Sequence, residues 1–240
     1  MHSKQVAIIV AGGKGLRLPG DVPKQFAAID GLPVLMHTLH AFRAYSSSLE
    51  IILVLPVADK ALWDNLCRRH QFRDSVTVVD GGPSRFHSVW NGLKQITGPG
   101  LVAVHDGVRP MITPDIIAVS FDIAGKYRSA VASVALKESI RQVEASAETN
   151  GSSSGLSERR SVALDRTVFR LMQTPQTFDI DLLKSAYESA AVDHFTDDAS
   201  VVESAGHRVA LFDGSYENLK ITTPEDLIVA EAILRARRQR

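Results

Sequence analysis

Apolar residues follow two alternating rhythms along this chain. Residues 6–10, 51–55, 76–79, 101–104 and 130–136 are short runs rich in β-branched side chains with few polar interruptions. A strand buried on both faces reads this way, because neither face is left for water. Between these runs the apolar positions recur three and four apart. Leu35, Leu39 and Phe42 share one helical stripe, and Phe86, Val89, Trp90 and Leu93 share another. Residues 59–70 and 114–125 also read as helices. The alternation predicts an α/β fold, with a mostly parallel twisted sheet flanked by helices.

The rhythm breaks over residues 137–166. Asn150-Gly-Ser-Ser-Ser-Gly155 is a turn-forming tip, and the flanks 139–143 and 161–164 are expected to pair as an antiparallel arm. An arm without a core of its own must lean on something, and a second subunit is the economical choice. The other reading is a surface loop. Order resumes at Phe169. Helices are expected over 179–190, from Thr196 as N-cap to Gly206, and from Thr223-Pro224-Glu225-Asp226 to the basic end at Arg235 to Arg240. Residues 208–212 and 219–221 read as short strands. No repeat and no second core is visible, so residues 1–240 are read as a single domain with the protruding arm 137–166 inside it.

Charge narrows the partners. Lys+Arg and Asp+Glu are equal at 27 each, without the basic excess of a nucleic-acid binder. No apolar run approaches the roughly 20 residues that span a bilayer. Cys67 is the one cysteine, so no internal disulfide forms, and no signal peptide is read. A cytoplasmic location is therefore expected.

Three segments carry chemistry, each at the end of an expected strand. Val10-Ala-Gly-Gly-Lys-Gly-Leu-Arg17 follows the first, with Pro23-Lys24-Gln25 beyond it. Gly12, Gly13 and Gly15 let backbone wrap an anion. The spacing lacks the last glycine of a dinucleotide fingerprint, and Pro19 and Gly20 interrupt the helix such a site needs. Two fixed cations, Arg17 and Lys24, suit nucleotidyl transfer, which asks a protein for positioning and charge stabilisation. The second segment, Asp80-Gly81-Gly82-Pro-Ser84-Arg85-Phe-His-Ser88, follows the third strand. Its glycines allow close approach to a flat base, with Ser88 a turn further on. Arg85 either touches phosphate or pairs with an acid. The third, His105-Asp106-Gly-Val-Arg109-Pro110, ends the fourth strand. Asp106 there is a natural Mg²⁺ ligand near a triphosphate, and Arg109 can hold a second phosphate. His105 is read as a packed histidine, and Asp197 and Asp198 as first-turn acids stabilised by a helix dipole.

With Asp165-Arg166, Gln173-Thr-Pro-Gln176, Thr196-Asp197 and Asn218-Leu-Lys-Ile-Thr222, these motifs resemble the 2-C-methyl-D-erythritol 4-phosphate cytidylyltransferase family, over nearly the whole chain. The resemblance implies a Rossmann-like nucleotidyltransferase fold. The implied activity is transfer of CMP from CTP to 2-C-methyl-D-erythritol 4-phosphate, with release of pyrophosphate. It implies CTP on Ala11, Gly12, Gly13 and Gly15, with cytosine read at Gly81, Gly82 and Ser88. Arg85 and Asp106 complete the nucleotide contacts. Arg17, Lys24 and Lys220 are the implied catalytic cations. Asp106, Arg109, Thr174, Thr196 and Lys220 would line the acceptor pocket, with Mg²⁺ near Asp106 either directly or through water. The arm would form a homodimer and send Ser139 and Arg166 to the other subunit's site. Departures from the pattern are Gly12, Pro83, Ser139 and Glu217, where Ala, an acid, Thr and Asp are usual. Two rivals stand beside this reading: a ribitol 5-phosphate cytidylyltransferase, and a non-catalytic nucleotide-binding regulator that would have lost the cations.

Overall fold

The structure is a computed structural model and describes residues 4–12, 22–144 and 160–239. The chemistry-bearing strands come first. β1 (Gln5–Val10), β4 (Glu50–Leu55), β5 (Thr77–Asp80) and β6 (Leu101–Asp106) pair in parallel, and β7 (Ser129–Ala135) pairs in parallel with β11 (Leu211–Asp213). Between these two groups β10 (Arg170–Asp179) runs antiparallel to both β6 and β7. The full order is β11-β7-β10-β6-β1-β4-β5.

Both faces of the sheet are covered, which is why its strands read as continuous apolar runs. Along β1, Val6, Ile8 and Val10 face one layer and Ala7 and Ile9 face the other. The Ala7 side packs against α1 (Val34–Tyr45), α2 (Lys60–Arg69) and α4 (Pro114–Tyr127) through Leu35, Leu39, Phe42, Trp63 and Phe121. The Val6 side packs against α3 (Arg85–Leu93), α5 (Ile180–Ser189) and α6 (Asp198–Ser204) through Val89, Leu93, Leu183 and Val202. Residues such as Ile8, Phe42 and Phe121, each at most 2% exposed, contribute about 2 kcal/mol apiece by burial. A third cluster under α7 (Pro224–Arg238) joins Val108, Met111, Ile221 and Ala230 to Ile29 of a small hairpin. That hairpin pairs β2 (Ala28–Ile29) with β3 (Leu32–Pro33). Its Asp30-Gly31 turn has positive φ at both residues, which suits the twist of the strands.

The strand and helix alternation matches the sequence reading up to residue 135. Beyond it, two expectations are corrected and one strand is new. The strand β10 was not anticipated, because Gln173, Thr174 and Gln176 are polar and Pro175 lacks an N–H. Residues 219–221 are not a strand: Ile221 sends its N–H to Val108 O at 2.9 Å, and no ladder follows. The N-cap of α6 is Asp197 and not Thr196, with a reciprocal capping box to Ser200. The arm flanks do pair, as β8 (Ile140–Val143) with β9 (Ser161–Leu164), antiparallel. The Gly/Ser tip 150–155 lies outside the described residues.

Candidate active site

The site grows from the carboxyl end of β6. His105 and Asp106 end a fully buried strand, and the next residues turn tightly. Arg109 N–H bonds Asp106 O at 3.0 Å, and Gly107 N–H bonds Val10 O at 2.8 Å. Gly107 has to be glycine, because a Cβ there would stand 2.9 Å from the Ala11 Cβ. The turn therefore lies directly against the start of the glycine loop.

His105 is completely buried and held at both ring nitrogens. Nε2 donates to Arg109 O at 3.3 Å, and Nδ1 accepts from the Thr174 hydroxyl at 3.0 Å. Burial pushes its pKa down to about 3, so it is neutral and structural. The Thr174 hydroxyl in turn accepts the Asp106 backbone N–H at 3.1 Å. A buried chain of three groups thus fixes the backbone from which the Asp106 carboxylate projects.

Three cations surround that carboxylate. Lys220 Nζ lies 3.0 Å and Arg109 Nε 3.2 Å from Oδ2, and Arg85 Nε lies 3.7 Å from Oδ1. Burial disfavours the charged carboxylate. The attraction of Arg85, Lys220 and Arg109 outweighs it and holds the carboxyl well below the usual range. Each cation is anchored separately. Arg109 Nη1 donates to Asn218 O at 2.9 Å. The loop bearing Lys220 is tied down by Asn218, whose side-chain amide donates to Thr174 O at 2.8 Å, and by Glu217, whose carboxylate pairs with Arg237 at 2.8 Å. Arg85 pairs with Asp198 at 2.7 Å.

The cations open onto a cavity of about 260 Å³ lined by Arg85, Asp106, Arg109, Thr174, Thr196 and Lys220, among others. A cavity of this size has room for a small phosphorylated molecule. Gln176 braces its far wall: Nε2 donates to Asp197 at 2.9 Å and Oε1 accepts from Ala199 N–H at 2.9 Å.

The residues expected from the sequence to contact CTP begin just past Val10, which pairs with Asp106. Ala11 is buried, with its N–H on Val54 O at 2.9 Å, and Gly12 approaches Pro56. Gly13, Gly15 and Arg17 lie outside the described residues. Lys24 opens a short 3-10 turn whose next two residues, Gln25 and Phe26, are buried, so its backbone is fixed. Burial and Lys220 lower its pKa, against the pull of Asp106 and Asp226. Ser88 presents no free hydroxyl donor to a base: it donates to Ser84 O at 2.9 Å and accepts Gly82 N–H at 3.0 Å. Its effect is to shape the Gly81-Gly82 loop. Gly82 is required there, since a Cβ would collide with His87. Ser139 and Arg166 are exposed on the arm and do not line the cavity of their own chain, and Arg166 donates to Lys137 O.

Two residues behind the cavity support Arg85 and were not singled out from the sequence for that role. Asp198, read as a first-turn acid, is completely buried, and Tyr187 donates to it at 2.6 Å. Only the third dimension joins Arg85 to residues so distant in the chain.

Comparison with known proteins gives the family. A model described as 2-C-methyl-D-erythritol 4-phosphate cytidylyltransferase matches residues 5–236. A protein of that name from Bacteroides thetaiotaomicron is 47% identical over 231 residues, covering 96% of this chain and all of that one. Another, from Phocaeicola vulgatus, is 46% identical over 227 residues, covering 95% of this chain and 98% of that one. Among solved structures, 4-diphosphocytidyl-2C-methyl-D-erythritol synthase from Anaerococcus prevotii superposes with a TM-score of 0.79 at 27% identity, covering 97% of this chain and 96% of that one. The 2-C-methyl-D-erythritol 4-phosphate cytidylyltransferase from Thermus thermophilus superposes with a TM-score of 0.75 at 29% identity, covering 98% of this chain and all of that one. The match supports neither the ribitol reading nor the regulator reading. With this fold and this cation cluster, the chain belongs to the 2-C-methyl-D-erythritol 4-phosphate cytidylyltransferase family of nucleotidyltransferase enzymes.

Proposed function

We propose that the chain transfers CMP from CTP to 2-C-methyl-D-erythritol 4-phosphate, and that the cavity around Asp106 holds the acceptor. The observation that carries this is three cations converging on one buried carboxylate beside a small cavity. A polyol phosphate offers the complementary groups: hydroxyls for Asp106, and a phosphate dianion for Arg109 and Lys220. Thr174 and Thr196 line the same space. Arg85, read from the sequence as a nucleotide contact, lines this cavity as well and is bound to Asp198.

CTP lies on Ala11, Gly12, Gly13 and Gly15, with cytosine against the Gly81-Gly82 loop that Ser88 shapes. An oxygen of the acceptor phosphate attacks the α-phosphorus. The bond from that phosphorus to the β-bridging oxygen breaks, and pyrophosphate leaves with the electron pair. The nucleophile is already anionic, so no general base is needed. Arg17, Lys24 and Lys220 stabilise the charge that builds on the α-phosphoryl oxygens.

Magnesium is expected near Asp106, directly or through water. Among the described residues no three His, Cys, Asp or Glu side chains group as a metal site, and Oδ2 of Asp106 is already taken by Arg109 and Lys220. A divalent ion would therefore take most of its ligands from the CTP phosphates and water, as Mg²⁺ commonly does, and would supply charge neutralisation there.

The arm is the proposed dimer contact, bringing Ser139 and Arg166 to the partner's cavity. Val143, Val162 and Val168 are 48%, 60% and 74% exposed along and just beyond the β8–β9 ribbon, and a lone two-stranded ribbon has no core to hold it. No helix among the described residues is long and apolar enough to cross a membrane, and cytoplasmic work is proposed. The stereochemistry at phosphorus tests the direct attack. CTP carrying one sulfur on the α-phosphate should give product with inverted configuration. Retention would mean a covalent nucleotidyl-enzyme and overturn the single displacement.

A further inference from the structure

Arg85 stands between two carboxylates and is bound to the nearer one, Asp198. Its Nη2 is 2.7 Å from Asp198, within hydrogen-bond range, whereas its Nε is 3.7 Å from Asp106 Oδ1, outside it. Asp198 is completely buried, and its other oxygen accepts from Tyr187 at 2.6 Å. Tyr187 cannot drift, because its ring stacks on Phe86 at 4.5 Å and faces Trp90 at 6.1 Å. Burial and the Asp198 charge push its phenol well above the usual pKa, so it remains a donor.

The two oxygens of Asp106 are used unequally. Oδ2 takes both Lys220 and Arg109. Oδ1 accepts no hydrogen bond from a described residue, and Arg85 waits just out of reach. A swing of about 1 Å would bring the guanidinium into contact and fill that oxygen.

We propose that Asp198, steadied by Tyr187, holds Arg85 off Asp106 and so keeps Oδ1 of Asp106 open to accept a hydroxyl of the polyol acceptor. Asp198 and Tyr187 are positioning residues for acceptor recognition, acting through Arg85 without touching either substrate. The inference rests on the reading that this cavity holds the acceptor.

The test compares steady-state constants of four variants, with folding followed by circular dichroism. Asp106→Asn tests the cavity itself and should raise the acceptor KM by about tenfold or more, the scale of one hydrogen bond to a charged group. Asp198→Asn should raise the same constant by a similar factor while the CTP KM stays within about threefold, a split that a general loss of structure would not give. Adding Arg85→Gln to Asp198→Asn should recover about half or more of that rise on a logarithmic scale, because the guanidinium that closes on Asp106 is gone. If Asp198→Asn does not fold, Tyr187→Phe carries the test, with about a threefold rise in the acceptor KM alone. Should Asp106→Asn leave the acceptor KM unchanged, the cavity reading fails and takes this inference with it. Should Asp106→Asn raise it and the folded Asp198 or Tyr187 variant not, the inference alone is overturned. A double variant no better than Asp198→Asn overturns it too.

Discussion

Lys220 Nζ lies 3.0 Å from Oδ2 of Asp106, which joins the loop ahead of the C-terminal helix to the end of a central strand. The lysine is partly exposed and the carboxylate is buried, so the pair reaches from the protein interior into the cavity. The Lys220 charge also helps to lower the pKa of Lys24, so one residue acts on both halves of the proposed site. Lys220→Ala should lower kcat/KM for the acceptor by about a hundredfold, the cost of removing a partner from a buried charge. Steady-state kinetics with the acceptor varied checks this, and a change of less than a few-fold would exclude Lys220 from the site.

Lys24 should matter for rate more than for binding. Removing one preorganised cation from the transition state costs roughly 3 kcal/mol or more, so Lys24→Ala should lose above about a hundredfold in kcat. Burial and the neighbouring Lys220 hold its pKa below the ordinary 10.5. The alkaline limb of the kcat profile should therefore begin below that value. Lys24→Arg should shift the limb upward, since arginine stays charged. An unchanged limb would assign it to another group.

His105 makes stability depend on pH. Its ordinary pKa is 6.5, and in the folded chain burial holds it near 3. Between those values the unfolded chain binds a proton that the folded chain does not. Stability is therefore full above 6.5 and falls as pH drops, by up to about 1.4 kcal/mol per unit. At about pH 5 the loss is on the order of 2 kcal/mol. Denaturant titrations between about pH 7 and pH 4 should show this slope, and His105→Gln should flatten it. Equal slopes in both proteins would contradict the neutral, buried histidine.

The central strands were legible because burial on both faces leaves a plain signature: Val6, Ala7, Ile8 and Ile9 are all fully buried. The strand β10 was not, because its site half is polar and still buried. Gln173, Thr174 and Gln176 are each 7% exposed or less, satisfied by Asn218, His105 and Asp197, which are far away in sequence. Pro175 reinforced the wrong impression, since proline argues against a central strand. Residues 219–221 erred the other way, with an apolar alternation that serves packing under α7 and not a ladder. At the site, motif order located Asp106, Arg109, Thr174, Thr196 and Lys220, which the fold gathers around one cavity. It gave no hint of Asp198, because an acid beside an N-cap looks the same whether it faces water or a buried arginine.

Removing the arm should separate assembly from fold. Deletion of residues 139–166 should give a folded monomer without turnover, because Ser139 and Arg166 do not line the cavity of their own chain. Sedimentation and activity measured on one sample check both parts. An active monomer would refute the trans contact.

The most direct measurement is pyrophosphate release from CTP and Mg²⁺ with 2-C-methyl-D-erythritol 4-phosphate or ribitol 5-phosphate as the acceptor. Efficient release with the first, at a kcat/KM well above that for the second, is the predicted result. Preference for ribitol 5-phosphate, or release that does not depend on the acceptor, would contradict an acceptor cavity built around Asp106 for methylerythritol phosphate.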